Sequence, residues 1–165
     1  MVKFCNIILT LFGWRINTAK LEGINKSILI LVPHTSNWDF VIGLLSAYAH
    51  NIDIKYIIKK EWNIPIIGWI LYHLGGIFID RTQSSGLTER IATMIQGMRH
   101  GHIVFTPEGT RKAVTKWKTG FYYTALASNV PISLVHINYK TRTVSILKIV
   151  TPTGDLESDI KKIKE

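Results

Sequence analysis

A histidine and an aspartate five positions apart, His34 and Asp39, stand in the stretch Pro33-His34-Thr35-Ser36-Asn37-Trp38-Asp39. An apolar run, Ile28 to Val32, precedes the stretch, and a second, Phe40 to Leu45, follows it. That order predicts a buried strand turning into a helix, with His34 at the strand end and Asp39 about one turn into the helix. Such turns open at the carboxyl edge of a parallel sheet, where sites are usually built. A carboxylate that orients an imidazole makes it a directed general base, able to take a proton from a hydroxyl. The same residues also read as a helix start, with Ser36 or Asn37 as cap, Asp39 complementing the helix dipole and His34 as a loop residue. The stretch alone leaves both readings open.

The elements that must position these residues alternate along the chain. Ile28–Val32 is a continuous apolar β run of the kind found in doubly covered parallel sheets. A helix to about His50 follows, then a strand over Ile54–Ile58, a short apolar helix within Glu61–Leu74 and a strand over Gly76–Ile79. Next come a loop at Ser84-Ser85-Gly86, a helix over Leu87–Arg99 and a strand over His102–Thr106. A helix over Gly120–Ser128, two strands over Val130–Tyr139 and Thr143–Ile149, and a charged helical tail over Asp155–Glu165 complete the chain. Lys20–Asn25 reads as a polar connection with room for a short strand. Strand–helix alternation implies right-handed βαβ units. The expected fold is therefore α/β: a single domain with a mostly parallel central sheet flanked by helices, preceded by an N-terminal apolar helix. Residues 1–20 form the apolar segment and residues 21–165 the main domain.

A chain of 165 residues suits one domain with a sizeable core. Its net charge of +9 favours anionic partners without choosing among nucleic acid, anionic lipid and phosphorylated substrates. The single cysteine, Cys5, excludes an intrachain disulfide, and no Cys/His grouping has zinc spacing. His100 and His102, around Gly101, read as a turn and not as a metal site. Met1–Trp14 is too short to span a bilayer, which takes about 20 apolar residues. It either lies in a membrane interface or packs on its own domain. From Trp62 to Ile79 no acidic or basic residue occurs, yet Pro65, Gly68, Gly75 and Gly76 argue against one uninterrupted span. Trp62, Trp69 and Tyr72 suit either a lipid surface or a core.

Parallel βαβ units bring several strand ends to one edge, and three predicted ends carry polar residues: His34/Asp39, Asp80/Arg81 and Glu108/Thr110/Arg111. In this order and spacing the chain resembles the glycerophospholipid acyltransferases. His34-Thr35-Ser36-Asn37-Trp38-Asp39 fits their His-x4-Asp block. Gly76-Ile77-Phe78-Ile79-Asp80-Arg81 is similar to the second block, Pro107-Glu108-Gly109-Thr110-Arg111 to the third and Val130-Pro131-Ile132 to the fourth. Departures occur at Pro33, where the family often has asparagine, at Thr106, which intervenes after Phe105, and at Lys112, where serine is common.

The resemblance implies transfer of a fatty acyl group from a thioester, acyl-CoA or acyl carrier protein, to the hydroxyl of a lysophospholipid, by default 1-acylglycerol-3-phosphate. His34 would be the base and Asp39 its orienting partner. Arg81, Glu108, Gly109, Thr110 and Arg111 would bind substrate, the arginines on phosphate as bidentate donors. The backbone around Glu108-Gly109-Thr110 is a candidate oxyanion site. Lys112, Lys116 and Lys118 would draw in anionic groups or form an ordinary solvated face. No Gly-x-Ser-x-Gly elbow occurs, so no acyl-enzyme is expected. Neither a metal nor a further cofactor is called for, and no nucleic-acid module is present. The expected location is a membrane surface, peripheral or monotopic, on the cytoplasmic face. The rivals are a phospholipid transacylase or lipid hydrolase on the same scaffold, and a non-catalytic basic peripheral membrane protein.

Overall fold

The computed structural model describes residues 1–80, 86–112 and 114–165. Seven strands form one sheet: β1 (Arg15–Asn17), β2 (Lys26–Leu31), β3 (Ile54–Lys59), β4 (Gly76–Ile79), β5 (Gly101–Phe105), β6 (Ile132–Asn138) and β7 (Thr143–Val150). Their spatial order is β1-β7-β6-β2-β5-β3-β4. Every pairing is parallel except β6 with β7, which the turn Lys140-Thr141-Arg142 joins as an antiparallel hairpin. The helices are α1 (Val2–Leu11), α2 (Trp38–Ala49), α3 (Pro65–His73), α4 (Leu87–Gly97), α5 (Gly120–Ser128) and α6 (Leu156–Lys164). The expected single α/β domain with a mostly parallel sheet is what the chain forms.

Side-chain alternation along β2 divides the core. Ile28 and Ile30 pack with Ile91 and Ile95 of α4, Phe121 and Tyr122 of α5, and Ile163 of α6. Leu31 packs with Ile42 of α2, and Leu29 with Leu21 and Ile146, on the opposite face. The strand is buried on both faces, which is why it reads as an unbroken apolar run and not as an alternating one. Helix α1 closes on α2 through Cys5, Leu9 and Ala49. The Tyr56 hydroxyl donates to the Leu71 carbonyl (3.1 Å), and its ring meets Phe40 edge-on, so α3 lies on the same side of the sheet as α2. The molecule is thus three layers: α1, α2 and α3 on one side, the sheet, and α4, α5 and α6 on the other.

One feature departs from expectation. The short strand near the N-terminus is at Arg15–Asn17, parallel to β7, while Ala19–Leu21 is a single 3₁₀ turn. Three residues are too few for a period to register in sequence, and pairing to a strand some 130 positions away decides them. The short apolar helix expected within Glu61–Leu74 forms as α3: Lys60–Trp62 before it is a 3₁₀ turn, and Pro65 opens α3 at the first helical position, where its missing N–H costs nothing. No described helix is long and apolar enough to cross a membrane.

A buried carboxylate fastens α6 to the body. Asp159 accepts from the Tyr122 hydroxyl (2.9 Å), the Thr153 amide (2.6 Å) and hydroxyl (2.9 Å), and the Lys162 ammonium (3.2 Å). The Thr153 amide above all, then Tyr122, the Thr153 hydroxyl and Lys162, overcome burial and hold its pKa down to about 2.

Candidate active site

Strands β2, β5 and β6 are adjacent and parallel, so their carboxyl ends deliver three chain segments to one place. His34 follows β2, Glu108 follows β5 and Tyr139 follows β6. His34 Nδ1 lies 3.0 Å from Asp39 Oδ2. The same oxygen accepts the amides of Thr35 (2.8 Å) and Ser36 (3.0 Å), and the Tyr139 hydroxyl donates to the other oxygen, Oδ1. Ser36 Oγ accepts from the Trp38 amide (3.1 Å). The two readings of the motif are therefore both realised in one carboxylate, which ties down the turn and orients the imidazole.

Asp39 is 1% exposed and its neighbour His34 18%. Burial pushes the Asp39 carboxyl up, but the Tyr139 hydroxyl, the Ser36 and Thr35 amides and the His34 imidazole outweigh it and hold the group below the ordinary carboxylate range. Burial and then the Asp39 carboxylate push the Tyr139 phenol up to about 12, so it remains a donor at any working pH. An ionised Asp39 has no proton to give and must accept from His34, which fixes the Nδ1–H tautomer and leaves Nε2 with its lone pair free.

Glu108 reaches across from the β5 loop: its Oε2 accepts the His34 backbone amide at 2.7 Å. It holds the His34 main chain, a role that its expected place among substrate-binding residues did not include. The Gly109 amide donates to the Thr106 carbonyl (3.0 Å), closing a turn in which Gly109 has φ +64°. Of the three residues considered for an oxyanion site, Gly109 thus has its amide engaged in that turn. Thr110 and Arg111 are exposed and do not line the cavity that Gly109 borders; Thr110 Oγ1 accepts the Lys112 amide (3.3 Å). Arg81 lies outside the described residues. Just before it, Asp80 pairs with Lys60 at 3.4 Å.

His34 and Asp39 line a cavity of about 590 Å³, within the range of lipid- and drug-sized sites. Its walls are mostly apolar. Leu29, Leu31, Phe40, Leu44, Ile54 and Tyr56 come from beneath α2, and Leu87, Ile91 and Phe121 from the starts of α4 and α5. Gly109 and Lys118 also line it. The Lys118 amide is pinned to the Pro107 carbonyl (2.8 Å), and its side chain crosses directly over Gly109. Lys118 thereby stands apart from Lys112 and Lys116, which line no part of the cavity. Tyr139 and the backbone role of Glu108 were missed from sequence. A tyrosine closing a strand of the central sheet was the available signal, but it means something only once β6 is known to lie beside β2.

An imidazole backed by a buried carboxylate, opening onto an apolar cavity at the carboxyl edge of a parallel sheet, suits the activation of a hydroxyl beside a fatty chain. Comparison with known proteins gives the family. The chain belongs to the Acyltransferase family, whose sequence model matches residues 15–138. It is 33% identical over 81 residues to the human mitochondrial glycerol-3-phosphate acyltransferase 1, covering 48% of this chain and 10% of that protein. It is 26% identical over 149 residues to the 1-acyl-sn-glycerol-3-phosphate acyltransferase of Salmonella typhimurium, covering 84% of this chain and 59% of the other. The crystal structure of the 1-acyl-sn-glycerophosphate (LPA) acyltransferase of Thermotoga maritima superposes with a TM-score of 0.68 at 18% identity, over 98% of this chain and 72% of the other; it shares the fold. The chain thus spans only part of the curated relatives it matches.

Proposed function

We propose that the protein transfers a fatty acyl group from a thioester to the hydroxyl of a glycerolipid acceptor carrying a phosphate, with 1-acylglycerol-3-phosphate the first acceptor to test and glycerol 3-phosphate the second. The observation that carries the reading is the His34–Asp39 contact at the cavity wall. Nε2 of His34 takes the hydroxyl proton as the acceptor oxygen attacks the thioester carbonyl. The tetrahedral intermediate then collapses, the C–S bond breaks, and the leaving thiolate recovers the proton from the imidazolium, giving an ester and a free thiol. No enzyme nucleophile takes part. Lys118, beside Gly109 on the cavity wall, and the exposed Arg111, two residues after Gly109, supply positive charge for the acceptor phosphate, and Arg81 joins them by its place in the motif. The apolar walls take the acyl chain. An acceptor that lives in a bilayer calls for a protein seated at a membrane surface, and the net charge of +9 suits an anionic one.

The test is turnover by purified protein given acyl-CoA or acyl carrier protein thioester with each acceptor, read by mass spectrometry. His34→Ala is expected to lower transfer at least about a thousandfold. Most of the wild-type rate surviving in His34→Ala would sink the mechanism. Product formed without any thioester would replace it with transacylation, and release of free fatty acid alone with hydrolysis.

A further inference from the structure

The large apolar side chains left in water are distributed unevenly between the layers. Across α4, α5 and α6, only Tyr123 and Leu126 are exposed among the described residues. The α1–α3 layer behaves differently. On α1, Phe4, Ile7 and Leu11 point away from the Cys5–Leu9 seam that packs on α2, and Leu11 is 79% exposed. Helix α3 goes further: from Pro65 to His73 only Gly68 is buried. Ile66 is 75% exposed, Trp69 64% and Tyr72 67%, with Ile70 beside them. A water-facing helix at the edge of a sheet ordinarily turns a polar face outward. This one has none, and no charged residue occurs between Trp62 and Ile79.

We propose that α3 is a bilayer-inserted element and that it seats the protein on an anionic membrane jointly with α1. Three observations select a lipid surface over a protein partner. The exposed apolar residues gather on two helices of one layer. Lys59 and Lys60 stand exposed just before the apolar segment, ahead of Glu61; Lys60 is paired with Asp80, so Lys59 is the cation of this pair that would meet anionic headgroups as the helix dips beneath them. Trp62, Trp69 and Tyr72 are amphipathic rings of the kind that concentrate at the membrane–water boundary. Placement matters for function too. Helix α3 departs from the carboxyl end of β3, the edge that carries His34, so its first turn would bring the cavity's edge to the lipid. This last point rests on the acyl-transfer reading; the seating itself does not.

The experiment is flotation with vesicles of phosphatidylcholine and phosphatidylglycerol, comparing wild type with I66E/I70E. Both isoleucines face solvent and lie outside the cavity, so the fold is expected to survive, as circular dichroism and a thermal melt would establish. Partitioning should fall at least about tenfold. Transfer to an acceptor embedded in vesicles should fall with it, while transfer to water-soluble glycerol 3-phosphate or a short-chain acceptor is unchanged. Flotation of I66E/I70E equal to wild type overturns the proposal. A dimer that I66E/I70E dissolves, with flotation unaltered, overturns it in favour of a second copy as the occupant. Loss of flotation in a protein with no transferase activity sustains the seat while removing the acyl-transfer reading. Brominated lipids give an independent measurement in native sequence: they should quench wild-type tryptophan fluorescence more than that of Trp69→Phe, and equal quenching counts against insertion.

Discussion

Tyr139→Phe isolates one contact of the proposed base. The substitution keeps the ring, and with it the edge-on packing against Trp14 (5.6 Å between centroids, 84° between planes). It removes only the hydroxyl that donates to Asp39 Oδ1. A hydrogen bond to a charged group contributes about 1.5–3 kcal/mol. Tyr139 is 41% exposed, so water can partly replace its hydroxyl, and the lower end of about 1.5 kcal/mol is the better figure. For a chain of this size that lowers Tm by roughly 3–6 °C. Asp39 Oδ2 keeps the Thr35 and Ser36 amides and His34, so the dyad loosens without breaking, and kcat should fall about tenfold. KM for the acceptor should hold, because Tyr139 does not line the cavity. The pH dependence has a definite sign. The folded-state pKa of Asp39 is depressed, so its stabilisation is present above the unfolded value near 3.8 and is lost as pH falls through the folded one. Without Tyr139 the depression shrinks. The Tm gap between wild type and variant should be widest at neutral pH and narrow below pH 3.8. A Tyr139→Phe protein with wild-type kcat and the same melting curve at every pH would refute this account of how Asp39 is held.

The two remaining perturbations probe Glu108 and Asp159. If Glu108 acts by gripping the His34 amide, Glu108→Gln retains an acceptor oxygen and most of kcat, while Glu108→Ala loses tenfold or more; equal losses in both would show that its charge acts on substrate instead. Asp159→Ala leaves the Tyr122 hydroxyl and the Thr153 amide without their acceptor and should destabilise the fold by roughly 3 kcal/mol in urea denaturation, with KM unaffected because Asp159 does not line the cavity. Its depressed pKa of about 2 means that this stabilisation is present above pH ~4 and disappears between there and pH 2; an Asp159→Ala effect that persists undiminished at pH 2 would count against it.

How much of this was legible in sequence depended on whether the cause was local. The run Ile28–Val32 announced a doubly buried strand because both its faces are in fact covered. His34 and Asp39 could be paired because five positions across a strand-to-helix turn leave little choice of geometry. Glu108 and Tyr139 could be placed at strand ends but not given their partners. Nothing in the spacing of residues 74 and 100 positions apart says that β5 and β6 flank β2. Strand order is decided by crossover connections and by which helices cover which face, and those are tertiary facts. The same holds for Trp62, Trp69 and Tyr72: their spacing suited a core as well as a surface, and only the position of α3 at the β4 edge exposes them.

The arrangement around Asp39 explains why its neighbours come from so many parts of the chain. A carboxylate this deeply buried would drift toward its neutral form, and a neutral acid could no longer hold His34 in the Nδ1–H tautomer. Two local amides offset part of that tendency, and they come at no cost in sequence distance because the helix start supplies them. The remaining oxygen needs a donor that the local turn does not supply, and Tyr139 supplies it from the end of β6. Tyr139 is in turn packed against Trp14, which follows α1, and the Arg142 guanidinium donates to the Phe12 carbonyl (3.0 Å). The proposed base is therefore held through the central sheet on one side and through the junction with the N-terminal helix on the other. Helix α1 is consequently part of the scaffold of the dyad, whatever surface its outward residues meet.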